Sequence, residues 1–254
     1  MNSLQDSELG QILEGIISVS TSEMKLKELE LFLIARKIEN LYHFTSIQNL
    51  NSLRHNGFLG REALIENGIQ FQISDSSRNE PIENAICFSF SKPNKFMMMN
   101  KINSGRDIVL LELGNPLEIL STKRFIASPG NFAKYSLKNE FMNWPEKFTG
   151  GLGLTRLFLN ETLREKYVLE PQETTDPQAE IILLDPLPWN YVVRIFSPTS
   201  REYAAQEKIR EFTKSNSGKI EFISQNLEMF KPIDWGNKKS SVEFRERTWT
   251  PDWV

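Results

Sequence analysis

Apolar residues near the start of the chain recur with a helical period and later gather in short runs. The period of three to four residues that is typical of an amphipathic helix runs through Leu9, Ile12, Leu13, Ile16 and Ile17. Residues 24–34 carry a similar apolar stripe. We therefore predict helix over residues 7–37, with a break or a cap at Thr21 and Ser22.

Short apolar runs bounded by turn-forming residues follow this helical part, and they predict strands. The predicted strands cover residues 41–45, 85–91, 107–112, 180–185 and 191–196. Helices are predicted at residues 47–55, 156–167 and 204–214, and residues 68–83 predict a loop. Many short strands with helices between them indicate an α+β fold rather than a repeated βαβ winding.

Composition limits the classes of function that the chain can have. A net charge of −3 over 254 residues is typical of a globular protein, and it argues against binding a polyanion through overall charge. One cysteine and two histidines are too few for a four-ligand His/Cys zinc site, so we expect no metal. No apolar run approaches the roughly 18 residues of a membrane span, and residues 1–9 do not resemble a signal peptide. We therefore expect a cytoplasmic protein that does not enter a membrane.

A Gln-x-Glu pair stands at the start of the apolar strand at residues 180–185. Alternate residues of a strand face the same side, so this pattern predicts that Gln178 and Glu180 point one way and Ala179 the other. One neutral and one anionic side chain on the same face can hold a small polar ligand. A strand-end glutamate is in most proteins simply solvated, so the pair alone does not establish a site.

A second candidate site lies upstream, in the segment Leu41-Tyr42-His43-Phe44-Thr45. A single strand histidine is more often structural than functional. The longer pattern Tyr-His-Phe-Thr-x-x-x-Asn-Leu-x-x-Leu-x-x-x-Gly, from Tyr42 to Gly57, changes that reading. It resembles the opening motif of the DarT-type nucleic-acid ADP-ribosyltransferases, which are toxins of bacterial toxin–antitoxin systems.

Two further segments resemble the same family in the same order, so that the resemblance spans about residues 40–196. Asp75-x-x-Arg78, followed by the apolar segment Ile86–Phe90, is similar to its middle block. Gln178-Ala179-Glu180-Ile181-Ile182 is similar to its catalytic strand. Each motif is weak alone, and the ordered set of three is more specific.

The resemblance implies an ADP-ribosyltransferase fold, with two small packed β-sheets around a cleft for NAD⁺. NAD⁺ would be the co-substrate, and no metal is implied. No Gly-x-Gly-x-x-Gly fingerprint is present, so a Rossmann mode of binding is not supported. The predicted domains are an N-terminal helical extension at residues 1–38, the transferase core at 39–200, and a C-terminal helix and tail at 201–254.

The resemblance also implies roles for individual residues. Glu180 would be catalytic and bond the nicotinamide ribose, and Arg78 would contact phosphate or orient the acceptor. The other predicted contacts to NAD⁺ are His43, Thr45, Asn49 and Gln178. A carboxylate beside the positive charge that develops on the ribose lowers the barrier, and it can accept a proton from the attacking base.

Cationic and aromatic residues are interleaved in the middle third of the chain. Such a surface can follow a nucleic-acid backbone and stack its bases. Solvated lysines around a packed core account for the spacing equally well, and the resemblance favours the nucleic acid. The predicted contacts are Lys92, Lys95, Lys123, Arg124, Asn131, Lys134 and Trp144.

The predicted function is transfer of ADP-ribose from NAD⁺ to a base in single-stranded nucleic acid, with DNA favoured. The resemblance implies a toxin with an antitoxin partner, in a toxin–antitoxin or anti-phage system. An RNA acceptor is the first alternative. A protein acceptor, which the Gln-x-Glu pair also allows, and a non-catalytic binding module are the others. Nicotinamide release with DNA, RNA or no acceptor distinguishes these alternatives.

Overall fold

A computed structural model describes residues 26–72, 82, 84–90, 95–197, 207, 209–212 and 220–224. Across these residues, short strands and short helices alternate without a repeated βαβ unit. In the same ranges, no helix is long and apolar enough to cross a membrane. The α+β class predicted from the sequence is confirmed.

Within the described residues, seven strands form one sheet with the order β4-β5-β2-β1-β3-β6-β7. The strands are β1 Leu41–Ser46, β2 Ile86–Phe90, β3 Ile108–Leu113, β4 Phe125–Ser128, β5 Glu180–Leu183, β6 Val192–Ser197 and β7 Glu221–Ser224. Neighbouring strands are antiparallel except β6 and β7, which are parallel. Strand β5 is buried along its whole length because it lies between β4 and β2.

The sheet divides between β1 and β2. All six residues of β1 pair with β3, whereas the described pairing of β1 with β2 consists of Leu41 with Phe90 and Tyr42 with Ser89. Beyond Tyr42 the two strands diverge. The two predicted sheets are therefore β4-β5-β2 and β1-β3-β6-β7, and they are joined along one edge by these two residue pairs rather than separate.

Helices cover the sheet and connect its strands. They are α1 Leu26–Ala35, α2 Leu50–Asn56, α3 Arg61–Glu66, α4 Lys95–Asn103, α5 Pro116–Thr122, α6 Tyr135–Asn143, α7 Gly150–Arg156 and α8 Glu161–Lys166. Short 3-10 helices occupy Ile47–Asn49, Pro145–Phe148 and Trp189–Tyr191. Helix α1 lies in the predicted N-terminal extension, of which residues 1–25 are outside the described residues, and it buries Leu29 and Leu33.

The predicted helix at residues 47–55 is confirmed as a 3-10 turn followed by α2, and it stops at Gly57. Gly57 has a φ of 73°, and a Cβ there would lie 2.6 Å from the Leu187 carbonyl oxygen. The single helix predicted at residues 156–167 is wrong. Asn160, with a φ of 73°, caps α8 by accepting a 3.1 Å hydrogen bond from the Leu163 N–H, so a new helix starts there.

The C-terminal part of the chain contributes to the sheet. Strand β7 pairs with β6, and it comes from the segment assigned to the C-terminal helix and tail. The described residues of the helix predicted at 204–214, which are 207 and 209–212, are helical. The domain boundary at residue 200 stays a prediction.

Candidate active site

Glu180 is the first residue of β5, and its side chain is 6% exposed. The following residues Ile181, Ile182 and Leu183 are fully buried, and this apolar strand fixes the position of Glu180 at its start. The carboxylate oxygen Oε2 accepts a hydrogen bond of 3.0 Å from the main-chain N–H of Phe132. A buried carboxylate therefore lies at the end of the central strand of its half-sheet, held by a main-chain donor.

The donor belongs to the loop that follows β4. The ring of Phe132 is buried against Phe141 and Phe148, with edge-to-face contacts at centroid distances of 5.3 and 6.1 Å. Asn131 shapes the loop because its Oδ1 accepts a 2.9 Å hydrogen bond from the Ala133 N–H. This turn bond is a structural role for Asn131, and its predicted contact to nucleic acid stays a prediction.

Strand register places two serines beside Glu180. Ser128 of β4 is its directly opposite partner. On the other side, β2 pairs Phe88 with Ile181, and one more step of that register leads to Ser89. Directly opposite residues share a sheet face. Glu180 thus has a hydroxyl-bearing neighbour on each adjacent strand.

Gln178 lies in the turn before β5 and not in the strand, so the strand that was expected to include it begins only at Glu180. Its N–H donates a 2.7 Å hydrogen bond to Asp176 Oδ1, and the Ala179 N–H donates to the Asp176 carbonyl at 3.0 Å. This Asx-type turn delays the start of the strand. Gln178 is nevertheless buried two residues from Glu180, and its contact to NAD⁺ stays a prediction.

Asp176 is a buried carboxylate that the sequence reasoning missed. Its Oδ2 lies 3.7 Å from Lys134 Nζ, and a Cβ on Gly130 would come within 3.0 Å of the same oxygen. Asp176 therefore contacts the loop that carries Phe132. The Asp176-Pro177 pair is a turn signal in the sequence that could have indicated it.

Hydrogen bonds hold the segment before Asp176 against α8 and against the residues that follow α7. Arg164 donates to the carbonyl oxygens of Glu170 and Glu173 at 2.9 and 2.5 Å. Thr175 is held twice, because its N–H donates to the Leu157 carbonyl at 2.9 Å and its hydroxyl to the Leu159 carbonyl at 2.6 Å. Arg164 and Thr175 are both buried. Neither was predicted, since main-chain partners leave no sequence pattern.

His43 lies where β1 and β2 diverge. Its Nδ1 is 2.8 Å from the Cys87 carbonyl oxygen of β2. Because a carbonyl only accepts, Nδ1 carries the proton, and in the neutral ring Nε2 is then an acceptor. The ring also packs against Phe58 and Phe88, with centroid distances of 5.4 Å to each. The His43 side chain thus connects β1 to β2 at the point where the main-chain pairing of the two strands ends.

The side chains of Thr45 and Asn49 are hydrogen-bonded to each other. Asn49 Nδ2 donates to Thr45 Oγ1 at 3.1 Å and to the Gln72 carbonyl at 3.1 Å, and its Oδ1 accepts from the Gln72 N–H at 2.6 Å. The Ser46 hydroxyl donates to the side chain of Gln72 as well. Asn49 therefore anchors the chain before residues 73–81. Its contact to NAD⁺, like that of Thr45, stays a prediction.

The predicted nucleic-acid contacts separate into two groups along β4. Asn131 and Lys134 follow the end of β4 that faces Glu180, whereas Lys123 and Arg124 precede the other end. Four strand residues place these ends about 10 Å apart. Lys123 and Arg124 therefore lie away from the carboxylate.

Arg124 makes a close ion pair with Asp185. Its Nε and Nη2 donate to Asp185 Oδ1 at 3.0 and 2.8 Å, and its N–H donates to Oδ2 at 2.7 Å. Burial acts to raise the pKa of Asp185, but these hydrogen bonds outweigh it and bring the pKa below its ordinary value. The pairing gives Arg124 a structural role at this end of β4, and its contact to nucleic acid stays a prediction.

Trp144 is 53% exposed just after α6, and Lys147 Nζ lies 5.2 Å from its ring centroid. An exposed indole beside a cation can stack with a base. Arg78 and Lys92 lie outside the described residues, as does the side chain of Lys95.

A charged row crosses the other half of the sheet. Successive strand partners are Tyr42, Glu112, Arg194 and Glu221. Arg194 bonds Glu112 at 2.8 Å and Glu221 at 2.7 Å. Burial, assisted by Glu112, raises the pKa of Tyr42 to about 12, while Arg194 and Asn40 act in the opposite direction.

The divided sheet, the histidine at its division and the buried glutamate at a strand start together fit the class of ADP-ribosyltransferases. A family model described as "ssDNA thymidine ADP-ribosyltransferase, DarT" matches residues 42–231. The chain belongs to this family. It is therefore an ADP-ribosyltransferase that uses NAD⁺, which confirms the resemblance, the fold and the co-substrate predicted from the sequence.

Several solved structures are similar to the chain. Thermosipho africanus DarTG in complex with ADP-ribose is 14% identical with a TM-score of 0.49, and the match covers 76% of this chain and 51% of that chain. Thermus sp. 2.9 DarT in complex with NAD⁺ is 13% identical with a TM-score of 0.48, covering 77% and 98%. The same Thermus protein in complex with ADP-ribosylated ssDNA is 13% identical with a TM-score of 0.45, covering 77% and 97%.

The chain spans about half the length of the Thermosipho protein. Among curated proteins, none matches it.

Proposed function

We propose that this protein transfers ADP-ribose from NAD⁺ to thymidine in single-stranded DNA, with Glu180 as its catalytic residue. The observation that carries the proposal is the buried Glu180 carboxylate, held by the Phe132 N–H within a chain that matches the family over residues 42–231. The family's description names single-stranded DNA, which the sequence favoured over RNA.

The chemistry requires a carboxylate at this kind of position. When the bond between nicotinamide and ribose breaks, nicotinamide leaves as a neutral molecule and positive charge develops on the ribose. A preorganised carboxylate stabilises that charge, since the hydrogen bond to Phe132 fixes its orientation in advance. As a thymidine nitrogen attacks the ribose carbon, its proton passes to the same carboxylate.

His43, Thr45, Asn49, Gln178 and Arg78 complete the proposed NAD⁺ site. His43 supports this because it lies at the point where the half-sheets separate, with Nε2 as an acceptor. Asn49 supports it by fastening Gln72, from which the chain continues towards Arg78. The residues near Glu180 with polar or cationic side chains, Asn131 and Lys134, would face the DNA.

The proposal extends to a toxin whose activity is opposed by an antitoxin protein in a toxin–antitoxin or anti-phage system. It would work in the cytoplasm, where both NAD⁺ and DNA substrates can be reached. The resemblance of the sequence motifs to a family of toxins supports this reading. Toxicity on expression that disappears with loss of transferase activity would test it.

The deciding experiment measures transfer to defined oligonucleotides. Purified protein with NAD⁺ is given a thymidine-containing single strand, the same strand without thymidine, the matching duplex and the matching RNA. Mass spectrometry follows addition of ADP-ribose, and nicotinamide release is measured in parallel. We expect modification of the first strand alone. Modification of RNA or of protein instead would contradict the proposed acceptor.

Glu180→Gln tests the catalytic assignment in the same assay. The change keeps the size of the side chain and removes its charge, so turnover is expected to fall by about 10²-fold or more. Glu66→Gln, at the exposed end of α3, is the matched control and should keep full activity. A Glu180→Gln protein with normal turnover would refute the role of Glu180.

A further inference from the structure

Ser128 has a buried hydroxyl without a hydrogen-bond partner among the described residues. The residue is 0% exposed, and its Oγ bonds to no group of the part of the chain that the structure describes. A buried hydroxyl that is left unpaired lowers the stability of the folded state. Alanine would fill nearly the same space without that loss, so packing alone does not explain a serine here.

Ser128 lies beside Glu180 in the sheet. The two residues are directly opposite each other on β4 and β5, at the last pair of this antiparallel ladder. Opposite residues share one face, with Cβ atoms about 4.5–5.5 Å apart. Rotation about a single side-chain bond moves a serine hydroxyl among three staggered positions. Rotation of the Ser128 side chain can therefore turn its hydroxyl towards the side chain of Glu180.

The face that Ser128 shares with Ile126 and Ile182 is apolar and packs against Phe132, Phe141 and Phe148. The carboxylate can accept more than the one main-chain hydrogen bond at Oε2, because its two oxygens offer about four lone-pair positions.

We propose that Ser128 is a positioning residue for the transfer reaction: its hydroxyl donates a hydrogen bond to the Glu180 carboxylate as ADP-ribose is transferred. This inference rests on the proposed catalytic role of Glu180. The Phe132 N–H and the Ser128 hydroxyl then hold the carboxylate from two directions, so that it keeps its place while charge develops on the ribose. Ser128 itself does not contact substrate, because it is fully buried.

Three serine variants test the inference. Ser128→Ala removes the hydroxyl, and Ser128→Thr keeps it on a side chain that suits a strand. Ser197→Ala is the matched control, since Ser197 is also a buried strand serine. It lies on β6, four strands away from β5 and so about 19 Å distant in the plane of the sheet.

The readouts are kcat for transfer to the thymidine strand, the dissociation constant for NAD⁺ by calorimetry, and the unfolding temperature. For Ser128→Ala we expect kcat to fall about tenfold or more. The affinity for NAD⁺ and the KM of the transfer reaction should stay within about twofold of the wild-type values. Its unfolding temperature should be equal to or above that of the wild type, because an unpaired buried group has been removed. Ser128→Thr should recover most of kcat, and Ser197→Ala should keep it.

The outcomes separate this inference from the proposed function. If Ser128→Ala has normal kcat while Glu180→Gln is inactive, the positioning role is wrong and the proposed function stands. If Ser128→Ala lowers the unfolding temperature together with kcat, or Ser128→Thr stays as inactive as the alanine variant, Ser128 acts through packing and the inference fails. If Glu180→Gln is fully active, the proposed catalytic role fails and this inference with it.

Discussion

The Glu180 carboxylate and the Phe132 N–H are joined by a hydrogen bond although they lie 48 residues apart in the chain. Phe132 is held by its ring in the aromatic group with Phe141 and Phe148. The packing of that group therefore determines where a main-chain donor meets the carboxylate. Activity should depend on residues that shape this loop without touching substrate.

Gly130→Ala is expected to disturb that relationship. Its Cβ would lie 3.0 Å from Asp176 Oδ2 and 3.3 Å from Leu137 Cδ1, so these side chains or the loop must give way by a few tenths of an ångström. Small misplacements of a catalytic group can lower rates substantially, and we expect kcat for ADP-ribose transfer to fall about tenfold or more. Steady-state kinetics with the thymidine strand checks this.

Gly114→Ala is the matched control for this change. Its Cβ would lie 3.1 Å from Val193 Cγ1, an equally close contact in the other half of the sheet. It should leave kcat unchanged. Normal kcat in Gly130→Ala as well would mean that the loop does not position Glu180.

His43→Ala is expected to weaken NAD⁺ binding by about tenfold. His43 connects the two half-sheets through the Cys87 carbonyl and offers Nε2 as an acceptor near the proposed cleft. Loss of one such hydrogen bond lowers affinity by roughly 1 kcal/mol, with a further loss from the relaxed division of the sheet. Calorimetric titration of NAD⁺ measures the effect.

The other histidine provides the comparison. His55 is exposed on α2, where its Nδ1 lies 2.7 Å from the Asn51 carbonyl oxygen. His55→Ala should bind NAD⁺ as the wild type does. A folded His43→Ala protein with unchanged affinity would show that His43 is only structural.

Trp144→Ala is expected to weaken binding of single-stranded DNA by about tenfold and to leave NAD⁺ affinity unchanged. The half-exposed ring can stack with a base, which typically contributes about 1–3 kcal/mol. Fluorescence anisotropy with a labelled oligonucleotide measures the affinity, which should fall steeply with added salt.

Val168→Ala removes another exposed apolar side chain, which is 83% exposed after α8. It should not alter DNA affinity. If Trp144→Ala and Val168→Ala bind DNA equally well, the predicted surface at Trp144 is wrong.

Tyr42→Phe is expected to change the response of the protein to alkaline pH. The pKa of Tyr42 is raised from 10.0 to about 12, so the folded state favours the neutral phenol. The corresponding stability is fully present below about pH 10 and is lost as the pH rises towards 12. The phenylalanine variant has no ionisable group at this position, so it should not lose this stability at high pH.

Urea unfolding at pH 8 and pH 11 measures the difference. Relative to Tyr42→Phe, the wild type should lose about 1 kcal/mol between these two pH values, after allowance for solvent screening. Difference absorbance of the two proteins gives the Tyr42 titration directly. A midpoint near 10 would contradict the contribution of burial and Glu112.

Five of the strands and the position of Glu180 at the start of one of them were predictable because they depend on local patterns. The run Ile181-Ile182-Leu183 predicts a buried strand in any context, and Glu180 stands at its start. Strand β4 was not predicted, because Phe125–Ser128 is short and its burial depends on pairing with β5. The break at Asn160 was missed because its cap uses a left-handed backbone conformation that the helical period does not report.

Apart from the turn signal at Asp176-Pro177, the sequence does not indicate which groups the supporting residues of the site contact. Asp176, Arg164 and Thr175 act through main-chain groups, and any residue supplies a carbonyl or an N–H. Arg124 was predicted to contact nucleic acid from its charge, but its partner Asp185 is 61 residues away in the chain. Long-range pairing of this kind becomes visible only in three dimensions.

The insertion of β5 between β4 and β2 has a consequence for how the protein folds. Strands β2 and β4 both precede β5 in the chain. Neither can complete its pairing until residues 180–183 pack between them. Pairing across such sequence separations is slow because a long loop must close first. The strand that carries Glu180 is therefore the one that completes this half of the sheet, and an incompletely folded chain has no assembled catalytic centre.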